Sequence, residues 1–206
     1  LGVRVGQGYC GRRVMVEILG RSGVRVSELC DLRIGQVRLH GSDGGRFQVL
    51  DSKTEAGVRE VQMTPDLAAA VSDHIARLRR LGAPTGPKAF LVPNARGGRT
   101  NRGRVARVLA KASARASEQQ CARALPPLPN TTPHTLRRTY ISIALLANNF
   151  DVKWVMAQVG HADSRMTMNV YAQLEQRVKR EHGESFDWLV RQAGMVHGEQ
   201  LLAQAA

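Results

Sequence analysis

His134-Thr135-Leu136-Arg137-Arg138-Thr139-Tyr140 opens the stretch that decides the fold of this chain. From Leu136 to Ala147 the sequence is strongly apolar, with Ser142 inside it, and it reads as a core helix. Downstream, Asp151 is placed to cap a helix through Val159, and Gly160 to end it. Asp163 or Ser164 then caps a helix that carries Thr167 to Tyr171. From Leu174 a polar helix leads to an apolar patch, Phe186, Trp188, Leu189 and Val190. Upstream, Pro126-Pro127-Leu128-Pro129 breaks the chain. Before that break, a basic loop from Asn94 to Gly103 feeds a positive helix. Phe90 to Val92 reads as a brief strand, Gly82 to Lys88 as a loop, and Pro65-Asp66 as the start of a helix running to about Leu81. Val37 to Leu39, Arg46 to Leu50 and Val58 to Met63 read as three short strands joined by turn-rich segments. Arg12 to Leu19, ended by Gly20, and Val26 to Leu32, with Ser27 as cap, read as two helices before the strands. The expected fold is mostly α with a small antiparallel three-stranded sheet, an α+β class.

The chain has 206 residues, and 43% of them are hydrophobic, enough for a sizeable core. Its longest apolar run is far short of the roughly 20 residues that cross a bilayer, so no membrane partner is expected. Cys10, Cys30 and Cys121 have no framework spacing and read as free thiols in a reducing cytoplasm, Cys30 as a small core residue. No secretory signal pattern is visible, and cytoplasmic localisation is expected. The first residue is Leu1, which reads as a trimmed or partial chain.

The formal net charge is +13, which makes a polyanion the first partner to consider. The excess is concentrated. Between Ala95 and Tyr140 lie Arg96, Arg99, Arg102, Arg104, Arg107, Lys111, Arg115, Arg123, Arg137 and Arg138, against the single acid Glu118. Arg104, Arg107, Lys111 and Arg115 recur at helical spacing, so one helix face is expected to be positive. A solvated face is the bland reading, but with almost no balancing acid it repels itself, and phosphate tracking fits better. With two Trp, three Tyr and four Phe, base stacking is not the expected mode.

Several short strings line up. Gly23-Val24-Arg25-Val26-Ser27-Glu28-Leu29 opens a helix. Asp51-Ser52-Lys53-Thr54 sits in a hairpin turn before Gly57-Val58-Arg59-Glu60-Val61. His134-x-x-Arg137 opens the core helix, and Val159-Gly160-His161 and Tyr171 follow. Each string alone is weak. In this order and spacing they resemble the catalytic domain of the tyrosine recombinases, the phage-integrase family, from about Arg12 to Leu174.

The resemblance implies a set of roles. Arg25 and Arg137 would clamp the non-bridging oxygens of a phosphodiester, for which the planar guanidinium is suited. Tyr171 would be the nucleophile, giving a 3′-phosphotyrosine link that conserves the energy of the broken bond. Lys53 would protonate the 5′-oxygen leaving group. His134 and His161 would add donors near the same phosphate. No metal and no cofactor are expected, because arginines supply the charge that Mg²⁺ supplies elsewhere. Arg99, Arg102, Arg104, Arg107, Lys111 and Arg138 are the expected contacts to the DNA backbone. Residues 1–174 would be the catalytic domain, without the N-terminal DNA-binding domain usual in the family, and 175–206 a tail that docks on a neighbouring protomer. The implied partners are double-stranded DNA and further copies of the chain, in a tetramer on paired sites and as a monomer without DNA.

Each residue also has a plainer reading. Arg25 could pair with Glu28 on the surface, Lys53 could be an ordinary turn lysine, His134 a helix cap, His161 a turn histidine and Tyr171 a buried aromatic. Three other functions compete: a type IB topoisomerase-like enzyme, an inert DNA-binding fragment, and a basic ribonucleoprotein component. The last leaves the ordered Arg, Lys, His-x-x-Arg, His, Tyr set as coincidence. A histidine zinc site is not expected, because His134 and His161 lack ligand spacing and no CxxC occurs.

Overall fold

A computed structural model describes residues 11–39, 45–50, 58–149, 151–161, 165 and 167–174. Cys10, the hairpin segment with Lys53, the expected cap at Asp163 or Ser164 and the tail from 175 onward lie outside the described residues.

The chain begins with α1 (Gly11–Ser22) and α2 (Val26–Asp31), followed by a 3₁₀ turn (Ile34–Gln36). Strands β1 (Val37–Arg38), β2 (Arg46–Val49) and β3 (Arg59–Gln62) come next, and then α3 (Pro65–Arg80), α4 (Arg102–Cys121), α5 (Pro133–Ala147) and α6 (Val152–Val159). Residues 167–174 are again helical. The three strands form one antiparallel sheet in the order β1-β2-β3, as expected. Phe47 pairs with Val61 and Val49 with Arg59, and these four share the inward face. Arg46, Gln48 and Glu60 face outward, where Glu60 accepts from Arg46 and Gln48 at 3.1 Å each.

Two hydrophobic clusters carry the packing. The larger draws on α1, α2, the sheet, α3 and α4, with Ile18, Leu29, Val61, Leu67 and Leu91 fully buried. The smaller joins α5, α6 and the helical residues 167–174 around Leu145, Val155 and Val159. They meet where α1 packs against α5 and β3 against α6. Cys30 is fully buried in the larger cluster. No helix among the described residues is long and apolar enough to cross a membrane.

Three local expectations need correction. Gly20 does not end α1. A side chain there would meet nothing within 4 Å, and the packing of Ile18 and Leu19 carries the helix on to Ser22. The chain turns at Gly23, with φ +64°. Ser27 is not the cap of α2. Arg25 holds that position, and its backbone N–H donates to the Glu28 carboxylate at 2.7 Å. Phe90 makes only an isolated bridge with Arg33 instead of a strand. The core helix expected from the apolar run is α5, which turns Arg137, Ile141, Ala144 and Leu145 inward and leaves Ile143 and Leu146 at least half exposed.

Gly23, just after α1, packs against Tyr140 of α5. A methyl group there would sit 2.3 Å from the Tyr140 ring, on a backbone that already disfavours any side chain. Overpacking costs about 1–3 kcal/mol and the left-handed conformation about 1 kcal/mol more. Gly23→Ala is therefore expected to lower the urea-unfolding free energy by about 2–4 kcal/mol. A change under about 0.5 kcal/mol, as at an ordinary surface site, would show that the turn is not held against the ring.

Candidate functional site

The last carbonyls of an α-helix lack intrahelical partners and form the negative end of its dipole. At the end of α6 three arginines, brought from three distant elements, take them up. Arg59 of β3 donates from Nε to the Gln158 carbonyl at 2.7 Å. Arg137 of α5 donates to the Val159 carbonyl at 2.7 Å, and Arg25, at the start of α2, to that of Gly160 at 3.0 Å. Gly160 itself is left-handed, with φ +68°, and a methyl group there would lie 2.7 Å from the Arg59 guanidinium. A glycine is thus needed at this turn both for its backbone and for the arginine stacked on it.

One carboxylate answers the three cations. Glu28 binds Arg59 through both oxygens, at 3.1 and 3.0 Å, and Arg25 at 2.9 Å. Burial pushes the Glu28 carboxyl up, but the hydrogen bonds and charge of Arg59, with those of Arg25, more than offset this and hold it below its ordinary range. Glu28 and Arg59 are buried, whereas the Arg25 side chain is 41% exposed. Arg137 is buried and also donates to the Gly23 carbonyl. Burial and the neighbouring Arg25 lower it to about 10, so it stays protonated at neutral pH. The cluster therefore keeps an excess of positive charge in a partly dry setting, where an anion is held more strongly than in water.

A cleft of about 230 Å³ opens beside this cluster. His134, Arg137, Arg138, Ile141, His161, Asn169, Val170 and Gln173 line it. His134 is exposed, one helical turn before Arg137. His161 is 8% exposed, and its Nδ1 lies 2.8 Å from the Thr167 hydroxyl. Burial, reinforced by Arg137, Arg25 and Arg59, pushes His161 down to about 4, so its ring is neutral at pH 7.

The Phage integrase family matches residues 6–177. The chain belongs to the phage integrase family. It is similar to the integrase of Mycobacterium phage D29, with 27% identity over 180 residues, which is 82% of this chain and 45% of the phage protein. The chain thus spans less than half the length of that relative. Among solved structures it resembles the XerA recombinase, with a TM-score of 0.64 and 23% identity over 87% of this chain and 59% of that one. It also resembles the XerH site-specific recombinase in a post-cleavage complex with palindromic difH substrate, with a TM-score of 0.65 and 16% identity over 84% of this chain and 45% of that one. These likenesses establish the fold, mostly helical with a small three-stranded antiparallel sheet.

Of the residues that the integrase pattern singles out, His134, Arg137 and His161 share the cleft, and Arg25 donates to the carbonyl of Gly160, the residue before His161. The pairing of Arg25 with Glu28 is present, and the same guanidinium also donates to the carbonyl at the α6 terminus. Tyr171 lies on the helical residues 167–174, half-buried against the smaller core and outside the lining of the cleft. Lys53 lies outside the described residues. Among the described residues no group of three His, Cys, Asp or Glu could hold a metal ion.

The expected backbone contacts differ in their surroundings. Asn101 caps α4, accepting from the Arg104 N–H at 2.8 Å. Val105 and Leu109 face inward, while Arg102, Arg107 and Lys111 are exposed and Arg104 is half-buried. Arg99 is paired with Asp31 through two hydrogen bonds, which ties the basic loop to α2. Arg138 is exposed and donates to Gln173 at 3.3 Å.

The integrase pattern did not mark Arg59. A signal was present all the same. In Arg59-Glu60-Val61-Gln62 the inward residue Val61 puts Arg59 on the same face two residues earlier, and an arginine aimed at a core needs a buried acid.

Proposed function

We propose that this domain cleaves and rejoins DNA strands through a covalent 3′-phosphotyrosine intermediate. The observation that carries the reading is the arginine cluster around one helix terminus, with its single carboxylate, beside a cleft that also holds two histidines. A phosphodiester resists attack because its anion repels nucleophiles and its transition state gathers charge on the non-bridging oxygens. Arg25 and Arg137 would bind those oxygens. Preorganised donors of this kind are usually the largest catalytic term, each worth roughly 10²–10³ in rate. His134 and neutral His161 would add N–H donors. The Tyr171 oxygen, giving up its phenolic proton to solvent, would bond to phosphorus as the bond to the 5′-oxygen breaks, and Lys53 would supply the proton that the leaving oxygen takes. Attack by a 5′-hydroxyl reverses the step and reseals the strand without ATP.

The exposed basic face of α4, together with Arg99, Arg102 and Arg138, would track the DNA backbone. Residues 1–174 would be the catalytic unit, the tail at 175–206 would dock on a neighbouring protomer, and the working assembly would be a tetramer on two DNA sites.

The test is a nicked duplex carrying candidate sites, so that the short cleaved strand diffuses away and religation fails. The full-length protein is incubated with it and denatured, and the mixture is run on a gel. A protein–DNA adduct is expected, with the modified tryptic peptide being Met166–Arg177. Salt-sensitive DNA binding with no adduct on any site would overturn the strand-transfer reading and leave a DNA-binding module.

A further inference from the structure

We infer that the Thr167 hydroxyl sets which nitrogen of His161 carries the proton, and so ties the helix bearing Tyr171 to the hydrogen-bond donor in the cleft. The inference deepens the proposed strand-transfer reading and rests on it for its functional part.

Thr167 is completely buried, and its Oγ1 lies 2.8 Å from His161 Nδ1. A buried hydroxyl must place its proton on an acceptor, and the imidazole nitrogen stands at hydrogen-bond distance. Burial and the nearby guanidiniums keep the ring neutral, so it has one N–H only. When Thr167 donates to Nδ1, that N–H is on Nε2, the nitrogen left for the cleft that His161 lines. The ring can then donate to a phosphate oxygen. With the other tautomer Nε2 would present a lone pair to an anion, and the interaction would change sign.

The position of Thr167 in the chain adds the coupling. It lies on the helical stretch 167–174, and Tyr171 follows one turn later on it. A shift of that helix that carries the tyrosine also moves the hydroxyl that holds the histidine. The donor would thus be set correctly only while the tyrosine's helix is seated. Thr167 is in this view a positioning residue, acting through His161 and not touching the reacting atoms.

The tautomer can be read without DNA. Two-bond ¹H–¹⁵N spectra of histidine-labelled protein at pH 7, with the His161 signals assigned by loss in His161→Gln, distinguish Nε2–H from Nδ1–H. The expected result is Nε2–H in the unaltered protein and in Thr167→Ser, and a mixture in Thr167→Val, which keeps the shape and removes the hydroxyl. In single-turnover cleavage of the nicked duplex, Thr167→Val should slow adduct formation at least about tenfold, the scale seen when a residue orienting a functional histidine is lost. DNA affinity should be unchanged and Thr167→Ser close to normal. A purely structural role would lower stability without moving the tautomer. An Nδ1–H ring in the unaltered protein overturns the inference even if Thr167→Val fails to fold, and so does an unchanged tautomer in that variant. If the tautomer behaves as expected and no variant forms an adduct, the strand-transfer reading fails while the assignment of Thr167 stands.

Discussion

Arg59→Met is expected to destabilise the fold by about 3–5 kcal/mol, the usual result of stranding one partner of a buried ion pair. Methionine fills much of the same volume, so the loss comes from what the guanidinium was holding. Two bonds to Glu28 disappear, at 3.1 and 3.0 Å, between side chains only 6% and 4% exposed. The Gln158 carbonyl loses its donor as well. Glu28 keeps Arg25 and a backbone N–H, which is too little for a buried carboxylate. The pH dependence follows the same logic. In the intact protein the Glu28 carboxyl is held below its ordinary value of 4.5, so its stabilising share is present above that pH and lost as the pH falls. In Arg59→Met the hydrogen bonds and charge of Arg59 no longer oppose burial and only Arg25 and its backbone N–H do, so the loss of stability on acidification should shrink. Urea melts of both proteins at pH 7 and at a pH below 4.5 check both points. Adding Glu28→Gln to the same protein should recover part of the loss, as expected for directly coupled partners. A single-variant loss below about 1 kcal/mol would mean that the pair contributes no more than a surface bridge.

Tyr171→Phe is expected to abolish the protein–DNA adduct while leaving fold and DNA affinity nearly intact. Phenylalanine retains the ring that packs on the smaller core, so the stability change should stay near the value of one hydrogen bond, about 1 kcal/mol. The phenolic oxygen is the only atom removed, and in the proposed reaction it is the atom that bonds to phosphorus. Tyr140 is the natural control. It lies in α5 against Gly23, and burial pushes its hydroxyl up to about 12, so its nucleophilic form is disfavoured. Tyr140→Phe should leave the adduct in place. A gel in which Tyr171→Phe still gives adduct and Tyr140→Phe does not would move the nucleophile to α5.

Much of this arrangement was legible because it rests on local chemistry. Asp151 caps α6 and Gly160 ends it in a left-handed turn, where the sequence pattern put them. The three strands were marked by β-branched residues between glycine-rich turns. Errors arose where distant packing overruled a local signal. Gly20 is a good helix breaker in isolation, but the buried side chains on either side of it keep α1 going to the glycine that does turn. Arg59 escaped notice for a related reason, since its meaning comes from Glu28 and Gln158, residues far from it in the chain. His161 and Arg137 were readable as types at a spacing, whereas the carbonyls they gather around could be known only after α6 had docked.

Arg25 and Arg137 are anchored on opposite sides of a boundary between two cores. Gly23 and Arg25 belong to the α1–α2 side, and Arg137, Val159 and Gly160 to the α5–α6 side. Their mutual alignment is therefore a property of how two separately packed bodies register, and no single element sets it. Reaction rates commonly fall about a hundredfold for a misplacement of 1 Å. Residues such as Leu145 or Val155, which never see the ligand, would then act on turnover the way a shim acts on a hinge. Natural variation in the speed of related domains would accumulate in the filling of the smaller core as readily as around the phosphate.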